Sequence, residues 1–224
     1  VLTLALLVIA GSLICLDRTQ AFQTMLSRPV VIGVALGFWA GHVAGGAAIG
    51  VAFEFLYAGR LPVGSNVPPS DTLAALGAGG LLVLVPRYGD LDHAGMAAAF
   101  ALPLAEWGRF VDITVRRVNG RIASRIDALV AEGDYGYVEA APWLAMAVAG
   151  LAFGLSLLVF YVTASVLIVF LGEPPAWLRH AFGLFVTGLP LVGFADSAST
   201  LDMRRFARWA AAGLAAGILV LWVI

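Results

Sequence analysis

Residues 54–72 concentrate the groups in this chain that could handle a polar ligand. The stretch reads EFLYAGRLPVGSNVPPSDT, with Glu54 and Asp71 near its ends and Arg60, Ser65 and Asn66 between them. Gly59, Pro62, Gly64, Pro68 and Pro69 punctuate it. Proline lacks an N–H and glycine accepts unusual dihedrals, so this stretch breaks helices and frees carbonyls and amides for other partners. A neutral amide, hydroxyls and a few carboxylates suit a neutral polyhydroxylated ligand such as a sugar. The competing reading is a water-exposed loop in which Glu54 pairs with Arg60. A second polar patch follows Leu16, where Asp17 and Arg18 read as the cap of a helix end at a membrane interface. Within it, the Gln23 amide both donates and accepts, which makes it a candidate ligand group.

Patterns of bond-breaking chemistry are absent from the sequence. There is no H-E-x-x-H, no G-x-S-x-G, no P-loop and no dinucleotide fingerprint. Gly133 and Asp134 read as a helix-end turn. Cys15 has no second cysteine to pair with, and His42, His93 and His180 show no ligand spacing. The expectation is a conduit or binding element with no metal and no cofactor.

The elements that must hold these groups are helices in a bilayer. Of 224 residues, 61% are apolar and 12% charged, with a mean hydropathy of +0.95. Soluble domains carry roughly 45–50% apolar and about 25% charged residues. A net charge of −1 gives no sign of nucleic-acid binding. Apolar blocks fall at 1–16, 30–58, 73–86, 94–106, 141–171, 181–195 and 209–224. The first lacks a basic leader and reads as structural. The 141–171 block is long enough to cross a membrane, whereas 73–86 and 94–106 are too short. Short segments interrupted by Gly and Pro point to half-helices or re-entrant hairpins buried in protein or lining a watery cavity. The expected fold is all-α, a polytopic transmembrane helical bundle with broken or re-entrant helices. It forms a single membrane domain over 1–224. Residues 1–106 carry the re-entrant polar segment near 54–72, 107–140 form an amphipathic cytoplasmic segment, and 141–224 supply C-terminal transmembrane helices.

Arginine placement orients the second half. Arg109, Arg116, Arg117, Arg121 and Arg125 precede the long block, and Arg204, Arg205 and Arg208 precede the last one. With both clusters cytoplasmic, 141–171 runs outward, 181–195 returns and 209–224 runs outward again. Gly33, Gly37, Gly41 and Gly45 recur every four residues and are expected along one helix face, packed against another helix. Gly150/Gly154 and Gly213/Gly217 repeat the spacing. In 110–130, Val111, Val115, Val118, Ile122, Ile126 and Leu129 keep helical spacing while Arg117, Arg121 and Arg125 form a separate stripe. That segment reads as a helix at anionic headgroups or as a docking face for a cytoplasmic partner.

The order of these motifs resembles a known family. Phe22-Gln23, Ser27-Arg28-Pro29, the Gly-rich block, then Glu54, Gly59, Gly64, Pro69 and Asp71 resemble the membrane IIC subunit of mannose/fructose/sorbose-type sugar phosphotransferase systems (PTS). Arg117-Val118-Asn119 with Ala131-Glu132-Gly133-Asp134, and Pro175-Ala176-Trp177-Leu178 with Gly183 and Gly188, extend the resemblance over nearly the whole chain. It implies a multi-pass protein of the bacterial inner membrane, paired with a IID-like membrane subunit in a trimer of heterodimers. It further implies elevator-like movement of a sugar, with phosphate supplied by a soluble IIB-like phosphocarrier. Carried over by position, Gln23, Glu54, Ser65, Asn66 and Asp71 become sugar-contacting or hairpin-bracing residues. The chain departs from the pattern at Ser70, which stands between Pro69 and Asp71. The alternative reading is a structural or scaffolding subunit of IIC-like fold that has lost transport.

Overall fold

A computed structural model describes residues 1–18, 20–21, 23–60, 66–85 and 91–199. Among them are seven helices and no strand: α1 (Leu2–Asp17), α2 (Pro29–Ala40), α3 (Val43–Tyr57), α4 (Asp71–Leu84), α5 (Leu91–Ala131), α6 (Ala140–Leu171) and α7 (Ala176–Ser199). The all-α bundle expected from composition is the fold observed. Two of these helices, α6 and α7, are long and apolar enough to cross a membrane. At a rise of about 1.5 Å per residue, α1 to α4 each reach less than the roughly 30 Å of a hydrocarbon core.

The 30–58 block is not one helix. It folds into the α2–α3 hairpin because Gly41 takes a left-handed conformation, φ 76°, which an L side chain resists. Its N–H returns to the Phe38 carbonyl and the His42 N–H to the Gly37 carbonyl at 2.7 Å, which closes α2. Pro29 opens the same helix at a position where its missing N–H costs nothing. The glycine stripe is therefore divided between two helices. Gly33 and Gly37 lie on α2, Gly41 is the turn, and Gly45 belongs to α3. Gly33 and Gly37 pack backbone-to-backbone on Gly46 and Gly50 of α3, so a methyl at Gly37 would stand 2.8 Å from the Gly46 Cα. The partner helix lies within this chain.

The short helix α4 is the centre of the bundle. Thr72 to Leu82 are all buried, and the small residues Ala74, Ala75, Gly77, Ala78, Gly79 and Gly80 admit neighbours on every side. Leu36 of α2 lies against Gly79, Phe160 of α6 against Gly77 and Tyr161 against Gly80. The Tyr161 hydroxyl donates to the Leu76 carbonyl at 2.7 Å. A buried phenol is thereby satisfied and α4 is tied to α6.

The 94–106 block is not a short segment but the first part of α5, which continues through Pro103 for 41 residues. Its helical periodicity outlasts the drop in hydropathy. α6 runs antiparallel beside it, and the Trp107 indole donates to Ser156 at 3.1 Å. Beyond the four short helices, α5 and the start of α6 project as a two-helix arm. The turn at Gly133, φ 89°, follows the end of α5, as the sequence leads one to expect. Gly154 packs on Ser12 of α1, while Gly213, Gly217, the 209–224 block and Arg204, Arg205 and Arg208 lie outside the described residues.

Candidate functional site

One end of the bundle collects the polar groups. The C-termini of α1 and α3 meet there with the N-termini of α2 and α4 and the middle of α5. Each element is placed by local chemistry. Ser70 caps α4 by accepting from the Leu73 N–H at 3.2 Å, and Asp71 follows in the first turn, where a carboxylate offsets the positive helix end. The Ser70 N–H donates to the Ala105 carbonyl of α5 at 2.9 Å. Gly108 makes that docking possible, because a Cβ there would stand 2.5 Å from the Ser70 Cβ.

Asp71 is ion-paired with Arg18 at the end of α1. Both side chains are about a quarter exposed, at 23% and 28%, so water screens the pair only partly. The Asp71 carboxylate also accepts from the Thr72 N–H at 2.6 Å, and the Thr72 hydroxyl donates to the Ser27 carbonyl at 2.9 Å. Glu54, near the end of α3, accepts from Arg28 at 2.7 Å and lies 3.4 Å from the Val30 N–H at the start of α2. Segment 27–30 thus joins the two carboxylates: Ser27 is tied to α4, and Arg28 and Val30 to Glu54. Glu54 does not pair with Arg60, whose guanidinium sits 5.8 Å above the Tyr57 ring.

Asp17 and Arg18 are more than the interfacial cap their sequence suggests. Asp17 is buried and accepts from the Thr24 N–H and hydroxyl, each at 2.7 Å, and from the Ser27 N–H at 3.2 Å. These bonds hold a loop in which Gln23, φ 51°, and Met25, φ 66°, are left-handed. Such conformations persist in non-glycine residues only where the surroundings over-determine them.

Of the residues selected from sequence, Glu54 and Asp71 are brought into one network. Gln23 and Asn66 are exposed at the same end, Gln23 on the loop held by Asp17 and Asn66 four residues before Ser70. Ser65 lies outside the described residues. The structure adds Arg18, Asp17, Arg28, Thr72 and Asp112. Arg18, Arg28 and Thr72 have partners far along the chain, and Asp17 bonds Thr24 and Ser27 across a loop, so no local spacing marks these four; Asp112 with Arg116 is a helical i,i+4 pair at 3.0 Å.

Between these groups lies a cleft of about 40 Å³ lined by Cys15, Arg18, Ser70, Thr72, Asp112 and Arg116. It has room for water, not for a ligand that needs the roughly 300–1,000 Å³ of a usual pocket. The arrangement offers paired carboxylates and guanidiniums, hydroxyls and the two exposed amides of Gln23 and Asn66. These are hydrogen-bonding groups without a nucleophile–base couple among the described residues. No group of three or more His, Cys, Asp or Glu side chains is placed to hold a metal ion among the described residues.

Comparison with known proteins agrees with this picture. A solved structure described as a membrane protein has the same fold, with a TM-score of 0.74, 18% identity, and coverage of 100% of this chain and 95% of that one. No curated protein matches the sequence. The family model of the PTS system sorbose-specific IIC component matches residues 1–220. The chain therefore belongs to the PTS sorbose-specific IIC family, membrane components that transport a sugar together with the other subunits of their system.

Proposed function

We propose that this chain is the sugar-translocating IIC subunit of a mannose-family phosphotransferase system in a bacterial inner membrane. It binds a neutral hexose-type sugar and carries it across by an elevator-like movement. Phosphorylation is left to a soluble IIB-like subunit. The observation that carries this reading is the convergence of Glu54 and Asp71. Both stand at ends of helices too short to span the bilayer, and both are braced by arginines from elsewhere in the chain. Half-helix termini with polar groups inside a membrane protein are the usual makings of a carrier site.

The cleft in this chain is too small for a hexose, and Gln23 and Asn66 face outward. A IID-like membrane partner completes the site in this proposal, with heterodimers assembled as trimers. Gln23, Ser65 and Asn66 meet the sugar, whereas Glu54 and Asp71 brace the hairpins and supply acceptors at the rim. The glycine-locked α2–α3 hairpin travels as one body against α5 and α7, the long helices it packs on. The test is sugar binding to the chain co-purified with its membrane partner. Binding of a hexose that weakens with Asn66→Ala supports the proposal, and absence of binding by any hexose refutes it.

One observation favours the scaffolding alternative: Asp71 is engaged by Arg18. Hexose uptake by proteoliposomes of the partner-bound chain separates the two, because a scaffolding subunit moves no sugar. Uptake retained on reversing the pair, Arg18→Asp with Asp71→Arg, would refute the scaffolding alternative and make Asp71 a brace only.

A further inference from the structure

The arm formed by α5 and the start of α6 carries an open groove of about 430 Å³. Ile122, Ile126 and Leu129 of α5 and Ala141 and Leu144 of α6 give it an apolar floor, and Arg121 and Arg125 stand along it. Both arginines are exposed, and neither enters an ion pair among the described residues. Their carboxylate-bearing neighbours, Asp127, Glu132, Asp134 and Glu139, all lie further toward the tip of the arm. Charge along the arm is therefore segregated, with arginines next to the bundle and acids beyond them.

The depth of this groove follows from α6. Its 32 residues contain no charge and, at about 1.5 Å each, extend roughly 48 Å. That exceeds the roughly 30 Å hydrocarbon core and compares with the 40–45 Å of a bilayer including its headgroups. The first turns of α6, which wall the groove, therefore reach headgroup depth. Trp143, 72% exposed, and Tyr137, 56% exposed, stand there as interfacial aromatics do.

We propose that this groove is a binding site for an anionic phospholipid, with the headgroup phosphate on Arg121 and Arg125 and an acyl chain along the Ile122–Leu144 floor. The charge complementarity is specific. An apolar trough alone accepts any acyl chain, whereas unpaired guanidiniums at its edge select a phosphate without a compensating amine. The site lies on the arm and does not depend on the sugar reading.

The test reconstitutes the full chain into nanodiscs of phosphatidylcholine mixed with phosphatidylglycerol and counts retained lipid by native mass spectrometry. The native chain should retain phosphatidylglycerol over phosphatidylcholine. Arg121→Gln with Arg125→Gln should reduce that retention at least about fivefold, and Arg179→Gln should leave it unchanged. Ala141→Trp, which fills the trough but keeps both arginines, should also abolish retention. If the glutamine pair aggregates, the charge-keeping Arg121→Lys/Arg125→Lys protein and Ala141→Trp decide. The first must retain the lipid and the second must lose it. Equal retention of the two lipids by the native chain overturns the proposal and leaves the arginines to an acidic protein partner. Undiminished retention in Ala141→Trp overturns it as well.

Discussion

Arg18 closes α1 and Asp71 opens α4, and their ion pair fastens the end of one short helix to the start of another, 53 residues apart. The same Asp71 receives the Thr72 N–H, and Thr72 in turn holds Ser27. One carboxylate thereby sets the relative positions of α1, α2 and α4. Asp71→Asn should cost roughly 1–3 kcal/mol of stability, the range for a hydrogen bond to a charged group or a partner left unpaired. Thermal unfolding in detergent, compared with the Arg18→Ala/Asp71→Asn double variant, checks it. The double variant should fall by less than the sum of the singles, because both lose the same interaction.

Asn66 makes a different prediction. It is exposed and makes no hydrogen bond among the described residues. Asn66→Ala should leave the unfolding temperature unchanged while weakening sugar binding by roughly tenfold, about the worth of one hydrogen bond to a ligand. Calorimetry on the partner-bound chain reads both quantities. A drop in stability with intact binding would assign Asn66 to the fold instead.

The α2–α3 hairpin should not tolerate side chains at its contact. Gly37→Leu has backbone, not a flexible side chain, in its way at 2.8 Å and should abolish a monodisperse protein on size exclusion. Gly120→Ala on the exposed arm meets nothing within 4 Å. It should stabilise the helix by about 0.5–1 kcal/mol, since alanine is the better helix former.

Tyr161→Phe should cost about 1 kcal/mol, the net worth of a neutral hydrogen bond. The ring stays packed beside Gly80 while the bond to Leu76 is lost. Denaturant unfolding in mixed micelles measures it, and no effect would mean that α4 and α6 are held by packing alone.

Much of the frame was legible in the sequence, for reasons that can be named. The charge-free run 141–171 and the glycine and prolines after it mark α6, which spans Ala140–Leu171. Helical spacing through 110–130 marks the arm of α5. What hydropathy could not separate was α2 from α3, because a two-residue reversal at Gly41 and His42 interrupts no apolar run. The glycine stripe looked like one face because Gly33 and Gly37 share their period with the turn glycine that follows. Pro103 and the fall in hydropathy after 106 hid the continuity of α5. In the candidate site, Glu54 and Asp71 were visible as charges in apolar surroundings. Arg18, Arg28 and Asp17 were not, because their roles depend on partners that only folding brings near. Those three residues convert an apparent loop into a braced network.

Cysteine scanning beside the polar end tests the central claim most directly, since Cys15 is the chain's single cysteine. In a Cys15→Ser background, Val67→Cys places a thiol next to Asn66 without removing a proposed sugar contact. The partner-bound protein in proteoliposomes should react with a membrane-impermeant maleimide, and a transported hexose should slow that reaction. A labelling rate that no hexose alters would place the punctuated segment away from any sugar path and contradict the account.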